Sequence, residues 1–300
     1  MKIVISGGTG FLGHALADRL AHDGHAVVLL TRGAASAGAV VQKVNWQPNG
    51  SVGVWASEVD GAGAVINLAG ESIGNRRWSA QQKDRILDSR VRATRSLCEA
   101  IHRAATPPPV FISGSAVGYY GSRNDQIVTE DTPAGADFLA DVCVQWEAEA
   151  IRASNRTRVV CLRTGLPLER DGGALPMIAM PFWFGAGGPV GSGTQYWPWI
   201  HRQDWIDLVR FVIANNEVVG PLNATAPQPV TNREFSKALG QALNRPSFMP
   251  APAFALKVLL GEMADGLLLS GQRAVPAKAQ KLGFKFAYET LDHALANLYR

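Results

Sequence analysis

The feature that most constrains this chain is residues 2–13, which read Lys-Ile-Val-Ile-Ser-Gly-Gly-Thr-Gly-Phe-Leu-Gly. A short apolar run of strand type leads into four glycines, and an amphipathic segment, residues 11–20, follows at once. This order of strand, glycine turn and helix opens dinucleotide-binding folds. There, Gly7 would allow the tight turn, Gly10 the approach of a pyrophosphate, and Gly13 close packing of the helix on the sheet. The stretch therefore predicts a nucleotide site in which phosphates meet free N–H groups at a helix N-terminus.

The overall composition is that of a globular protein with a large core, and it narrows the possible partners. Of 300 residues, 47% are apolar and 18% are charged, which suits either one large α/β unit or two domains. The formal net charge of +4 comes with no basic run, so nucleic acid is not an expected partner. The three cysteines are widely spaced and the six histidines are scattered, which predicts a reducing compartment and no metal site.

No segment of the sequence predicts export or membrane insertion. Lys2 leads directly into the first apolar run, without the pattern of a signal peptide. The apolar stretch at residues 253–260 is much shorter than the roughly 20 residues that a bilayer-spanning helix needs. We therefore expect a cytoplasmic protein with no membrane partner.

The end of the second predicted strand, residues 25–31, indicates which dinucleotide is bound. Folds that prefer NAD usually carry Asp or Glu about 20 residues past the glycines, where the carboxylate accepts a hydrogen bond from the ribose 2′-hydroxyl. Here the strand ends in Thr31-Arg32-Gly33, with no carboxylate. An arginine at this point suits a 2′-phosphate, which its guanidinium can bind in a bidentate manner. The sequence therefore favours NADP(H) over NAD(H), with an ordinary surface arginine as the alternative.

Strand and helix patterns alternate along most of the chain, which predicts an α/β fold with a doubly wound parallel sheet and right-handed crossovers. The aromatic, glycine-rich segment at residues 172–199 interrupts this order, and either lines a pocket or forms the core of a small second domain. We assign residues 1–167 to a Rossmann domain, to which 199–225 return, and residues 168–198 and 226–300 to a small C-terminal lobe. The remaining predicted elements are strands at 40–46, 64–70, 110–115 and 159–163 and helices at 79–105, 138–154 and 204–214.

Several stretches together resemble the extended and atypical short-chain dehydrogenases/reductases, most specifically the epimerase family of atypical members. The resemblance covers nearly the whole chain. It implies a Rossmann domain that binds NADP(H), a small and mostly helical C-terminal substrate lobe, and a small-molecule substrate that it does not identify. A homodimer is left open. The stretches that carry the resemblance include the first glycine turn, Asn67-Leu68-Ala69-Gly70, Asp88-Ser89-Arg90, Ser113 to Gly121, Trp146-Glu147, Leu162-Arg163-Thr164-Gly165, Trp199-Ile200-His201 and Gly271-Gln272-Arg273.

The same resemblance, with the strand ends described above, assigns residues to the cofactor. Arg90 is expected to reach it from the helix that follows the Asn67 to Gly70 strand, although several arginines share that helix and a solvated arginine is the alternative. The residues expected to contact the cofactor are Gly7, Thr9, Gly10, Phe11, Leu12, Gly13, Thr31, Arg32, Leu68, Ala69, Gly70, Glu71, Arg90 and Ser113.

One departure from the family pattern concerns the catalytic pair. Catalytic short-chain dehydrogenases carry Tyr-x-x-x-Lys on the helix after the serine strand, and the two residues share a helix face. The lysine lowers the tyrosine pKa from about 10, so that the phenol can exchange a proton with a substrate hydroxyl. Counted back from Glu147, the two positions hold Leu139 and Cys143, neither of which can do this. The sequence contains no Tyr-x-x-x-Lys.

A catalyst of this type would need another proton donor. Ser115 holds the position of the family's catalytic serine, and Tyr119 is the tyrosine four residues on, so these two are the predicted catalytic residues. Glu71, Tyr120 and His201 are further candidates. For each of them a structural role, such as a packed ring, a helix cap or a core histidine, is an equal alternative.

Two functions of different classes follow. The first is an NADP(H)-dependent oxidoreductase or nucleotide-sugar epimerase of the atypical class, supported by the polar groups and glycines around the expected nicotinamide pocket. The second is a non-catalytic NADP(H)-binding sensor or regulatory partner protein, which Leu139 and Cys143 favour. NADPH binding without oxidation across a panel of substrates would discriminate them.

Overall fold

The computed structural model describes residues 1–38 and 40–299 of the chain. Its strands and helices are numbered along the chain. The strands are β1 Lys2–Ser6, β2 Ala26–Thr31, β3 Val41–Asn45, β4 Ala64–Asn67, β5 Val110–Ala116, β6 Ile127–Val128, β7 Arg158–Thr164, β8 Leu166–Leu168, β9 Tyr196–Trp197, β10 Trp199–His201, β11 Gly220–Ala224, β12 Val230–Thr231 and β13 Arg273–Ala274. The helices are α1 Phe11–His22, α2 Ala80–Arg103, α3 Phe138–Ile151, α4 Leu175–Trp183, α5 Arg202–Ala214, α6 Asn232–Leu243, α7 Ala253–Leu260, α8 Glu262–Ala264, α9 Ala277–Lys281 and α10 Leu291–Tyr299.

A seven-stranded sheet in the order β11-β7-β5-β4-β1-β2-β3 forms the centre of the molecule. Every neighbouring pair in it is parallel. The chain starts at β1, moves outward through β2 and β3, and then returns to β4 on the other side of β1. The carboxyl ends of β1 and β4 therefore border the switch point where such sheets bind ligands. This topology confirms the predicted α/β Rossmann fold.

Both faces of the sheet are covered by helices because its central strands are apolar on both faces. In β1, Ile3 and Ile5 belong to one core cluster, with side chains of α1 and α5. Val4 between them belongs to a second cluster, with side chains of α2. Successive strand side chains point to opposite faces, so an uninterrupted apolar run is buried on both.

Helix boundaries follow local capping chemistry. The Ser79 side chain accepts a hydrogen bond from the Gln82 N–H at 3.2 Å and begins α2, which ends before the proline run at residues 107–109. Asp137 caps α3 by accepting from the Ala140 N–H at 2.9 Å. The helix predicted at residues 138–154 is shorter, because its last turn tightens into a 3₁₀ turn before β7.

The small lobe has a core of its own. Trp199 and Phe235 are fully buried there together with side chains of α4, α6 and α10. A capping box between Thr231 and Glu234 begins α6, and Asn244 in the left-handed region ends it. The aromatic segment at residues 172–199 has both predicted roles. Trp199 is buried in the core of the lobe, and Trp197 borders a cavity.

The lobe and the Rossmann domain exchange segments. Residues 199–225 supply β10, which pairs with β8, and then α5 and β11, which pack on and join the large sheet. The sequence assigns residues 226–300 wholly to the lobe, whereas in the structure part of this range packs against the Rossmann domain. In this region β13 pairs with β6. Phe284 and Phe286 belong to the core cluster that includes β1, α1 and α5, so their rings cover apolar side chains on that face of the large sheet. Within residues 1–38 and 40–299, no helix combines the length and apolar character that crossing a bilayer requires.

His201 lies at the junction of these parts and acts as a helix cap. Its Nδ1 accepts the N–H of Gln203 at 3.1 Å to begin α5, and its ring stacks on Tyr288 with centroids 3.8 Å apart. Burial lowers the pKa of His201 to about 4. The ring is therefore neutral at pH 7, with Nδ1 as an acceptor.

We predict that His201 makes the protein less stable in mild acid. The unfolded histidine binds a proton near pH 6.5, whereas the folded one does so only near pH 4, so the stability present above pH 6.5 is lost as the pH falls toward 4. His201→Asn keeps a capping acceptor but removes the titration. Denaturant unfolding at pH 7 and pH 5 should show a smaller loss for this variant, and equal losses would contradict the assignment.

Candidate functional site

The turn between β1 and α1 depends on two glycines that allow backbones to touch. Gly7 has φ +73°, and a Cβ there would lie 2.5 Å from the Leu68 carbonyl carbon at the end of β4. A Cβ at Gly13 would lie 2.3 Å from the Gly7 carbonyl oxygen. No side chain fits in either place, so only glycine at these two positions allows the start of α1 and the end of β4 to pack against the turn.

The N-terminus of α1 is open toward solvent. Gly10 is its exposed N-cap residue and provides no side-chain cap, so the first N–H groups of the helix lack intrahelical partners. Thr9 is exposed beside it, whereas Phe11 and Leu12 are half-buried. Phe11 packs beneath the turn at Gly172, where an added Cβ would lie 2.5 Å from its ring. This arrangement leaves a site for an anion at the helix N-terminus.

A buried hydrogen-bond chain fixes the end of β4 beside this turn. The Ser6 hydroxyl donates to Asn67 Oδ1 at 2.7 Å, and Asn67 Nδ2 donates to Thr94 Oγ1 of α2 at 2.8 Å. Asn67 Oδ1 also accepts the N–H of Ala69 at 3.2 Å. These hydrogen bonds therefore fix the backbone path of residues 68–70 beside the switch point.

Arg90 lies between this strand end and the interior of the molecule. Its Nη1 donates to the carbonyl oxygens of Glu71 at 3.0 Å and Ile86 at 2.9 Å, and its guanidinium lies 5.2 Å from the Trp146 ring centroid. A Cβ on Gly70 would lie 3.1 Å from the guanidinium carbon. Burial lowers the pKa of Arg90. The arginine is thus not a solvated surface group, and Glu71 meets it through the backbone.

The end of β2 presents Arg32 to solvent. Thr31 Oγ1 accepts the N–H of Gly33 at 3.1 Å, and Asn45 Nδ2 donates to the Gly33 carbonyl at 2.9 Å, which fixes the backbone of the turn. The Arg32 side chain is exposed, and within the described part of the chain it has no hydrogen bond or ion pair. Its guanidinium is therefore available to a ligand.

Ser113 differs from the sequence expectation. It is fully buried in the middle of β5, and its hydroxyl donates within the strand to the Gly114 carbonyl at 3.3 Å. Its neighbours in register are Asn67 and Cys161 of the flanking strands. Because the side chain is enclosed in the sheet, it supports the site from behind and is not presented to a bound molecule.

Ser115, two residues on, is hydrogen-bonded to a buried ion pair. Its hydroxyl donates to Glu147 Oε1 of α3 at 2.6 Å. Arg163 of β7 binds the same carboxylate in a bidentate manner, with Nε to Oε1 and Nη2 to Oε2 both at 2.8 Å. Burial alone would lower the pKa of Arg163, but its bonds to Glu147 hold that pKa above the ordinary range. Glu147 and Arg163 therefore form a charged pair beneath the serine.

The Glu147–Arg163 pair is hydrogen-bonded to further buried polar groups. Arg163 Nη1 donates to the Tyr120 hydroxyl at 3.0 Å, and that hydroxyl donates to Asn223 Oδ1 of β11 at 2.6 Å. Burial raises the pKa of Tyr120 to about 12. Tyr120 is fully buried, its hydroxyl is bound to Arg163 and Asn223, and it does not border the cavity next to Ser115, so it acts as a neutral structural group.

Tyr119 is also placed differently from the expectation. Its ring lies against the Arg163 guanidinium, 3.4 Å from centroid to carbon, within a 3₁₀ turn at Val117–Tyr120. The ring does not border the cavity next to Ser115. The separation arises because the 3₁₀ turn directs consecutive side chains to different sides, so the structure does not bring Ser115 and Tyr119 together at one surface.

A cavity of about 700 Å³ extends from Ser115 into the lobe. Leu139 and Cys143, which replace the family's tyrosine and lysine, both border it. Burial raises the pKa of Cys143 to about 11, so its thiol is neutral at pH 7. In the part of the chain that the structure describes, no three His, Cys, Asp or Glu side chains lie close enough together to hold a metal ion.

Sequence reasoning missed the roles of Glu147 and Arg163. Both stand in stretches that carry the family resemblance, Trp146-Glu147 and Leu162-Arg163-Thr164-Gly165. Their pairing was not visible because one lies on α3 and the other on β7. The one available signal was Arg163 at the end of the apolar run of residues 159–162, since charges are seldom buried unless they are paired.

Comparison with known proteins agrees with this geometry. Residues 3–224 match the NAD dependent epimerase/dehydratase family, and residues 251–298 match a domain of unknown function, DUF1731. The chain belongs to this epimerase family, in its SDR39U1-like branch, which confirms the resemblance noted from sequence. The chloroplastic SDR39U1 homolog of Arabidopsis thaliana is 41% identical over 301 residues, which cover 98% of this chain and 86% of that protein.

Two solved structures are similar over the whole chain. The human epimerase family protein SDR39U1, isoform 2, crystallised with NADPH, has a TM-score of 0.91 and 34% identity, and the match covers 100% of this chain and 99% of the human one. The nucleoside-diphosphate sugar epimerase of Corynebacterium glutamicum has a TM-score of 0.82 and 33% identity, over 100% of this chain and 58% of the other. An NAD(P)-binding Rossmann protein is thus the class that fold and family define.

We predict that the two glycines nearest the helix N-terminus differ in their tolerance of a methyl group. Gly13→Ala should lower the free energy of unfolding by about 3 kcal/mol, because its Cβ overlaps the Gly7 carbonyl. Gly10→Ala should cost less than about 1 kcal/mol, because its Cβ meets only the same oxygen at 3.3 Å and the residue is a helix cap. Urea unfolding of both variants checks this, and equal losses would contradict the packing described.

Proposed function

We propose that this protein is an NADP(H)-dependent oxidoreductase of the atypical short-chain class in which Ser115 exchanges the substrate proton. The observation that carries the proposal is the Ser115 hydroxyl on the cavity wall, hydrogen-bonded to the Glu147–Arg163 pair. A hydroxyl joined to a buried carboxylate supplies a proton path at the place where the family pair is missing.

The residues at the switch point fit NADP(H). The uncapped N–H groups after Gly10 suit a pyrophosphate, and the backbone at Gly7 leaves no side chain in its way. The exposed Arg32 guanidinium suits a 2′-phosphate. That the human relative was crystallised with NADPH supports the same cofactor here. Arg90 and the backbone of residues 68–71 lie together beside the glycine turn, where they could contact the same cofactor.

The chain's own residues handle the proton. When bound, the cofactor supplies or removes hydride at a carbon of the substrate. As an alcohol is oxidised, Ser115 accepts its hydroxyl proton and passes its own to Glu147 Oε1, 2.6 Å away. In the reverse direction the protonated Glu147 returns that proton through Ser115. Arg163 binds both oxygens of this carboxylate and fixes its orientation toward the Ser115 hydroxyl.

This proton path is weaker than the family's pair. A serine is a poor acid, and Glu147 must lose charge next to a bound arginine before it can donate. Oxidation would form the protonated Glu147 and reduction would start from it, so we expect slow turnover at neutral pH in both directions.

A non-catalytic NADP(H) sensor is the second candidate, and Leu139 and Cys143 favour it. Both border the cavity, and neither offers an acid of suitable pKa there. A substrate panel decides between the two: stoichiometric NADPH binding with no cofactor turnover on any carbonyl or alcohol would support the sensor.

We predict that Arg32 determines the choice of cofactor. Arg32→Ala should weaken NADPH binding about 10- to 100-fold, as expected for loss of a hydrogen bond worth about 1.5–3 kcal/mol to a charged group, and leave NADH binding unchanged. Calorimetric titrations with both cofactors measure this. Arg92→Ala, which removes an exposed arginine paired with Asp88 on α2, is the matched control. Equal affinity of the unmodified protein for NADPH and NADH would refute the prediction.

We predict that Ser115 contributes to turnover and that Tyr119 does not. Ser115→Ala should lower kcat about 10²- to 10⁴-fold, the usual contribution of a general acid–base group, with the Kd for NADPH unchanged. Tyr119→Phe should leave kcat within about twofold, because the ring keeps its position on Arg163 and its hydroxyl is away from the cavity. The change in NADPH absorbance follows turnover of both variants with the best substrate of the panel. Full activity of Ser115→Ala would remove this residue from the mechanism.

A further inference from the structure

The cavity next to Ser115 continues far into the lobe and has the size of a small-molecule site. At the sheet end it is bordered by Ser115 and Thr164, and at the lobe end by side chains of α4 and α7. Its volume of about 700 Å³ lies within the range of pockets that enclose drug-sized ligands. A substrate group placed beside Ser115 would therefore carry the rest of its molecule into the lobe.

The walls of this cavity carry almost no charge. Among the described residues that border it, Arg90 is the only one with a formal charge. Its Nη1 already donates to two backbone carbonyls at the sheet end. A nucleoside diphosphate brings at least two negative charges, and burying these without several cations or charged donors is unfavourable. The cavity does not suit such a molecule.

The lobe end is instead lined by large apolar side chains from several elements. These side chains include methionines as well as branched and aromatic residues, and flexible methionines can pack around varied apolar shapes. Six of these residues are Met177, Ile178 and Phe182 of α4, Leu256 and Leu260 of α7, and Met263.

Helix α7 is apolar on both of its sides. Its sequence is Ala-Phe-Ala-Leu-Lys-Val-Leu-Leu, yet none of its residues is buried. Leu256 and Leu260, one turn apart, border the cavity, whereas Phe254 and Val258 are 73% and 77% exposed. The helix thus lies between the cavity and solvent, and its inner side chains, Leu256 and Leu260, are only half-buried. An apolar ligand in the cavity would complete their burial.

We infer that this cavity binds an uncharged, predominantly apolar molecule whose reacting alcohol or carbonyl group lies at Ser115. The inference rests on the proposed function for the reacting group, but the apolar character of the ligand follows from the walls alone. Medium-chain alkanols and alkanals are the simplest members of this chemical class.

Displacement of an uncharged fluorescent probe tests the inference without any turnover. N-phenyl-1-naphthylamine is bound to the full chain with NADPH present, so that no alcohol can be oxidised, and is then displaced by alkan-1-ols from butanol to dodecanol. Each added methylene should tighten binding about fourfold, from about 0.8 kcal/mol per buried methylene, until the cavity is filled. UDP-glucose should not displace the probe. Displacement by UDP-glucose, or affinities independent of chain length, would overturn the inference.

Two variants of α7 distinguish the cavity from the outer surface. Leu256→Asp places a carboxylate in the cavity wall and should weaken dodecanol binding by about tenfold or more. Val258→Asp places the same carboxylate on the exposed side and should leave binding within about twofold. The opposite result would show adsorption to the outer surface and overturn the inference. Circular dichroism of both variants confirms folding, and the chain-length series on the unmodified protein stands if either fails to fold.

Cofactor measurements keep this result separate from the proposed function. NADPH affinity is measured for the same samples by calorimetry. Alkanol binding without oxidation would sustain the inferred ligand class while counting against the oxidoreductase. Oxidation of polar alcohols alone, with no alkanol binding, would do the reverse.

Discussion

The buried ion pair between Glu147 and Arg163 is the interaction on which the site depends. Both residues are less than one-tenth exposed, so each charge needs its full set of partners. The carboxylate binds Ser115, and the guanidinium contacts the Tyr119 ring and the Tyr120 hydroxyl. Removing one member of such a pair typically costs about 3–5 kcal/mol, because the other charge stays buried alone. The pair therefore ties α3, β5 and β7 into one rigid wall.

This wall explains how the fold accommodates the loss of the family's tyrosine and lysine. Those residues would project from α3 toward the sheet end of the cavity, where Leu139 and Cys143 now lie. A buried charge on this helix, Glu147, lies one turn beyond position 143. The presence of Leu139 and Cys143 in place of a tyrosine and a lysine leaves the sheet end of the cavity without a charged group on α3, and the cavity walls in the lobe are apolar as well.

Much of the cofactor region could be predicted because its signals are local. The strand, glycine turn and helix of residues 2–22 need only neighbouring residues to form, and the conformations of Gly7 and Gly13 follow from that turn. The missing acid after Thr31 was equally visible. Ser113 and Tyr119 were misplaced because a motif gives the order of residues but not the direction of each side chain. A strand and a 3₁₀ turn send adjacent side chains to different sides.

The sequence by itself determined the doubly wound sheet, the position of the switch point and the absence of the catalytic pair, because periodicity and short motifs encode these directly. Only the tertiary structure decided that Glu147 meets Arg163, that residues 279–286 pack against the sheet, and that α7 closes an apolar cavity. Each of these joins segments far apart in the chain. Such contacts depend on burial and shape complementarity among many elements at once, and no local pattern records them.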